Sequence, residues 1–102
     1  MVAKEIILKK VEVELAKYAE QLGFEIILDP EYCQEYSEFM ICAYDSKEYL
    51  VNNNFSYALV GNLPFVADVV TGNIYLLIER DCDFDNSTFS DLLTRGALKK
   101  VE

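Results

Sequence analysis

The chain contains no histidine. That absence removes the Ser-His and Cys-His pairs that activate nucleophiles, together with the commonest transition-metal ligand. Cysteine is scarce as well. Cys33, Cys42 and Cys82 are odd in number and lack C-x-x-C spacing, which argues against a disulfide framework and a zinc knuckle. No apolar run approaches the length needed to cross a bilayer. The N-terminus mixes Lys4, Glu5, Lys9 and Lys10 with its apolar residues, so it has neither the charged head nor the apolar stretch of a secretory leader. The expectation is a cytoplasmic chain with no cofactor and no bound metal.

What is present describes a folded protein. With 102 residues, 52% of them apolar and 13% aromatic, the chain has material for one domain spanning 1–102 and a single core. Its net charge of -9 is distributed unevenly. Residues 1–22 carry four Lys and four Glu, whereas residues 23–90 set twelve acids against Lys47 and Arg80 alone. A field of one sign repels nucleic acid and anionic membrane and speeds encounter with a basic partner. The same acidity also serves plain solubility.

Periodicity predicts the elements. Ile7, Val11, Leu15, Tyr18 and Leu22 form a stripe along a helix from Ala3 to Leu22, with Gly23 as the residue that ends it. The alternation of Val11 to Leu15 also admits a strand, but the length of the segment favours helix. Phe24–Leu28 reads as a first strand closed by Asp29-Pro30, and Phe39–Tyr44 as a central strand with two apolar faces. Tyr49–Val51 is expected to continue the sheet or begin a crossing segment, and Asn52–Asn54 to turn. A single helical turn or irregular crossover leads from Phe55 to Val60. Asp85–Ser87 is expected to cap a short helix over Thr88–Arg95, with a frayed tail over 98–102. The fold class is α+β: an N-terminal helix packed on a mainly antiparallel sheet of about four strands, with a short C-terminal helix.

The most distinctive stretch is Gly61-Asn62-Leu63-Pro64-Phe65-Val66-Ala67-Asp68, followed by Thr71-Gly72-Asn73-Ile74-Tyr75. Pro64 lacks an N–H and biases Leu63 to extended geometry, so a strand starts near Phe65, and Thr71-Gly72 reverses it into a second strand ending near Ile78. Together with Phe39–Leu50, in which an aromatic and apolar strand leads through a polar turn to Glu48-Tyr49-Leu50, this stretch resembles the immunity protein 35 family, the small acidic YrhB-like proteins of bacterial polymorphic toxin systems. The resemblance covers residues 39–78. It implies a non-catalytic protein that binds and neutralises a cognate toxin, itself expected to present a basic surface.

Local composition, not the resemblance, nominates the contact residues. In Glu31-Tyr32-Cys33-Gln34-Glu35-Tyr36-Ser37-Glu38, acids alternate with tyrosines and no apolar period runs through, as in an exposed recognition loop. Each tyrosine taken singly reads more simply as a cover for the core edge, and only the segment as a whole favours recognition. The candidates are Glu31, Tyr32, Glu35, Tyr36 and Glu38 in this loop, Asp45 and Glu48 in a polar turn, and Asp81 and Asp83 in Asp81-Cys82-Asp83-Phe84-Asp85. That last run opens like a calcium loop, but Asn86 stands where glycine is needed and Leu92 where a bidentate glutamate is needed. Two other classes stay open. One is an acidic decoy that occupies a nucleic-acid-binding protein. The other is a carboxylate enzyme using Asp68 with Asp45, although Asp68 at a strand end reads more simply as a hairpin pin.

Overall fold

The computed structural model describes residues 2–101. Helix α1 spans Lys4–Leu22 and buries Ile7, Val11 and Leu15 almost completely. Their four-residue spacing stacks them on one face, and each contributes about 1.5–3 kcal/mol by leaving water. The stripe weakens toward its end, where Tyr18 is half-buried and Leu22 is exposed. Gly23, at φ 83°, closes the helix with its N–H on the Ala19 carbonyl.

Seven strands follow among the described residues: β1 Ile26–Leu28, β2 Gln34–Glu35, β3 Phe39–Cys42, β4 Tyr44–Ser46, β5 Phe65–Asp68, β6 Ile74–Leu77 and β7 Leu98–Lys100. Two short helices join them, α2 over Lys47–Asn52 and α3 over Phe89–Thr94. The main sheet has the order β2-β3-β5-β6-β7, a separate ribbon pairs β1 with β4, and every pairing is antiparallel. The α+β architecture therefore stands. The four anticipated strands are β1, β3, β5 and β6, to which β2, β4 and β7 are added.

Alternation along the central strands sorts side chains into two cores. Met40, Cys42, Phe65, Ala67 and Ile74 pack with Ile7, Val11 and Leu15 of α1. Phe39, Ile41, Val66 and Leu77 pack with Phe89 and Leu92 of α3. The sheet is thus covered on both faces. Only Ala43 separates β3 from β4, and Tyr44 continues the α1-side alternation.

Three local expectations change. The segment expected to fray holds β7 instead. Gly96, at φ 74°, reverses the chain after α3, Ile78 donates to the Ala97 carbonyl at 2.8 Å, and Val101 donates to that of Ile74 at 2.9 Å. Glu102, the end of that expected tail, lies outside the described residues. Tyr49–Val51 belongs to α2 and not to the sheet, because the buried Ser46 hydroxyl accepts the Tyr49 N–H at 3.1 Å and starts a helix. The cap of α3 is Thr88, not Asp85–Ser87. Its hydroxyl accepts from Asp91 N–H while the Asp91 carboxylate accepts from Thr88 N–H, a reciprocal capping box.

The hairpin between β5 and β6 is pinned by Asp68, as its position suggests. One carboxylate oxygen accepts the Val70 N–H at 2.9 Å, the other accepts the Thr71 hydroxyl at 2.9 Å, and the Asp68 carbonyl accepts the Gly72 N–H at 2.8 Å.

Candidate functional site

Segment 29–38 runs beside β3 and β4, with Tyr36 and Glu38 on the α3 side of the sheet and Glu35, opposite Met40, on the α1 side. Asp29 starts it: its side chain accepts the Glu31 N–H and its carbonyl accepts the Tyr32 N–H, a tight turn through Pro30. Tyr32 emerges from this turn 66% exposed. With Asp29, Asp45, Tyr49, Asn62 and Ile41 it lines an open groove of about 410 Å³. Ile41 of the α3-side core and Tyr44 of the α1-side core both line it, so the groove sits at the sheet edge between the two.

Farther along the loop Tyr36 behaves differently. Its ring stacks on Phe39 with centroids 4.6 Å apart and planes at 14°, and Phe84 packs beside both. The tyrosine therefore extends the core at its edge. Its hydroxyl lies 2.9 Å from Gln34 Oε1 and 3.3 Å from Asp85 Oδ1. Partial burial first, and then the Asp85 charge, raise its phenol above the ordinary tyrosine value. This contact carries segment 81–85 onto the loop and joins two acidic stretches that lie far apart in sequence.

The remaining candidates have distinct surroundings. Glu31 is exposed, with no ion-pair partner among the described residues. Glu35 pairs with Lys4 at 3.5 Å, an exposed contact worth little on its own. Glu38 accepts the N–H of Phe89 at 3.2 Å, so its carboxylate helps seat α3. Asp45 turns inward, where Oδ1 accepts the N–H of Leu59 at 2.8 Å and of Ser46 at 2.7 Å. Residues 45–48 are a strand end and a helix start, not a free turn. Glu48 lies on α2 beside Phe24 and Tyr57 in a different groove, and it accepts from Asn52. Asp81 sits at φ 59°, a conformation Asp tolerates better than most residues, and is exposed. The Asp83 carboxylate accepts from Asn86 at 2.7 Å and its carbonyl from Ser87.

Asp29 and Tyr49 join the surface from outside the expected contact segments, and Asp85 joins it from within 81–85. Asp85 had a visible signal in the alternating acids of 81–85, whereas Asp29 and Tyr49 arrive only through tertiary packing.

The chemistry on offer is acceptor chemistry: carboxylates and phenol oxygens suited to guanidinium or ammonium groups. The thiols of Cys33 and Cys42 are poor nucleophiles at neutral pH. Burial pushes Cys42 up to about 12, and burial is also the main cause of the rise at Cys33. Among the described residues, no group of three or more Cys, Asp or Glu side chains is placed to hold a metal ion, and no helix is long and apolar enough to cross a membrane. No family model, curated protein or solved structure matches this chain.

Proposed function

We propose that this chain is a non-catalytic immunity protein of the immunity protein 35 kind, which binds a bacterial toxin in the cytoplasm and blocks it through the acidic, tyrosine-bearing surface around Tyr32. The observation that carries the reading is the placement of Tyr32. A large aromatic side chain stands exposed at the rim of a groove whose other walls include Asp29, Asp45 and Tyr49. Such a residue adds contact area at low entropic cost, and the carboxylates around it draw a basic partner. The loop is also fixed before binding by the Asp29 turn and the Tyr36 stack, so little ordering remains to oppose association.

The test is co-expression with the toxin domain encoded by the adjacent gene. A neutralising partner keeps the cells growing and co-purifies with that domain in a fixed ratio. Growth arrest despite soluble expression of both chains would end the proposal. An acidic decoy behaves differently: it captures unrelated basic proteins and its binding falls steeply with salt.

A further inference from the structure

The molecule carries a second feature, the unpaired edge of β1. Lys47 N–H donates to the Glu25 carbonyl and Asp29 N–H to the Ala43 carbonyl, which fixes the hydrogen-bonding phase of the β1–β4 ribbon. In an antiparallel pair these bonds fall on alternate residues. Glu25, Ile27 and Asp29 therefore face β4, and the N–H and C=O groups of Ile26 and Leu28 point the opposite way. Among the described residues, no hydrogen-bond partner meets them.

That edge opens on a groove of about 920 Å³ between β1 and the second half of α1. Its floor is apolar, with Leu15, Ala16, Ala19 and Phe24, and the two alanines leave room where larger side chains would close it. Glu12, Glu20 and Glu25 stand around it. Glu25 pairs with Lys47, whereas Glu12 and Glu20 have no ion-pair partner among the described residues.

We propose that this edge is a docking site for an extended basic segment of a partner protein, which adds a strand to β1 and lays apolar side chains over Ala16 and Ala19. Main-chain groups at Ile26 and Leu28 supply the pairing, and the glutamates select the charge. Glu12 and Glu20 are eight residues apart, about 12 Å along the helix. That distance is the span of about four residues in an extended strand. The matching segment therefore carries Lys or Arg at i and i+4 with an apolar residue between them at i+2, all on one face. A second copy of this chain is a poor occupant, because pairing β1 with β1 would bring two sets of glutamates together. The site is separate from the surface around Tyr32 and stands independently of toxin neutralisation.

The probe is an acetylated peptide amide with Lys-Thr-Val-Thr-Lys at its centre and threonine on both sides, titrated into the full chain with amide NMR and hydrogen exchange as readouts. Saturable shifts and slowed exchange at Ile26 and Leu28 are expected at up to about 1 mM peptide. Reversing both charges with Glu12→Lys and Glu20→Lys, at exposed helix positions, weakens binding about tenfold. Ala16→Phe fills the groove and does the same without placing a charge beside either glutamate. Methylating the central valine's neighbouring amides abolishes binding, which separates strand pairing from simple charge attraction. Equal binding of a glutamate-for-lysine peptide overturns the proposal, as do shifts confined to other residues. Concentration-dependent self-association that protects Ile26 and Leu28 without peptide overturns it too, by making a second copy the occupant.

Discussion

The carboxylate of Asp45 accepts the amide of Leu59 at 2.8 Å, joining the end of β4 to the crossover that leads into β5. The same oxygen takes the Ser46 amide, and Ser46 in turn caps α2. A residue nominated for its charge thus also holds two segments of irregular backbone. Asp45→Ala leaves two half-buried amides without an acceptor, so thermal or urea unfolding should show a loss of about 1–3 kcal/mol. Asp45→Asn retains an acceptor oxygen and should lose clearly less. Equal losses in the two variants would mean that charge, not the acceptor, matters at this position.

Gly72 is the tightest point of the β5–β6 hairpin. It lies at φ 79°, and an added Cβ would come within 3.1 Å of Val2 Cγ2 and 3.5 Å of Lys10 Nζ. The Lys10 ammonium also donates to the Gly72 carbonyl at 3.0 Å, which ties α1 to the turn. Gly72→Val combines backbone strain with crowding against the start of the chain. The expected loss is about 1 kcal/mol or more, read as a lowered melting midpoint. Gly72→Ala meets the same φ with a smaller side chain and should fall between the variant and the parent.

The hairpin, α1 and the two-faced β3 were legible because each rests on a local signal: proline and glycine punctuation, a helical stripe, or a run apolar on both faces. The segments that were misread lack such signals. Leu98-Lys99-Lys100 reads as a polar end, and only its pairing with β6 makes it a strand, with its lysines left on an exposed sheet edge. Ser46 is a good cap by type, but its role depended on the strand ending there. The candidate site was legible to the same degree. Loop 31–38 is exposed at Glu31, Tyr32, Glu35 and Glu38, whereas the union of Tyr36 with Asp85 bridges 49 positions in sequence and leaves no local trace.

The capping box of α3 sets an acid response. The Thr88 N–H, and then its hydroxyl, hold the Asp91 carboxyl below the ordinary value of 3.8, with Arg95 adding a smaller pull. A depressed folded-state pKa means that the unfolded chain binds the proton first. The stabilisation is therefore complete above about pH 4 and is lost as pH falls through the folded value. Asp91→Asn should flatten the acid limb of a stability-versus-pH curve while leaving its slope near neutrality unchanged. An acid limb of unchanged slope would show that other carboxylates carry it. Thr88→Ala removes the reciprocal half of the cap and should cost about 1 kcal/mol at neutral pH.

The recognition surface makes the sharpest functional prediction, and the surroundings of each acid decide which variants are informative. Glu38 is a poor choice because its carboxylate holds the Phe89 amide, so reversing it would loosen α3 and confound binding with folding. Glu35 is already paired with Lys4. Glu31 and Asp81 are exposed, and neither side chain makes a hydrogen bond to the rest of the described chain, so Glu31→Lys with Asp81→Asn changes the field with little else, asparagine tolerating the φ of 59° as aspartate does. Against the toxin domain this pair should slow association by about two- to tenfold at low salt, with the difference shrinking at high salt and dissociation nearly unchanged. Tyr32→Ala should act on the other rate. As a central aromatic anchor it is worth about 2 kcal/mol, which speeds dissociation about 30-fold. Glu48→Lys is the control, since Glu48 lies in a separate groove beside Phe24 and Tyr57 and should alter neither rate. If Tyr32→Ala binds like the parent while Glu48→Lys weakens binding, the contact lies on the α2 side, and the acids around Tyr32 serve solubility.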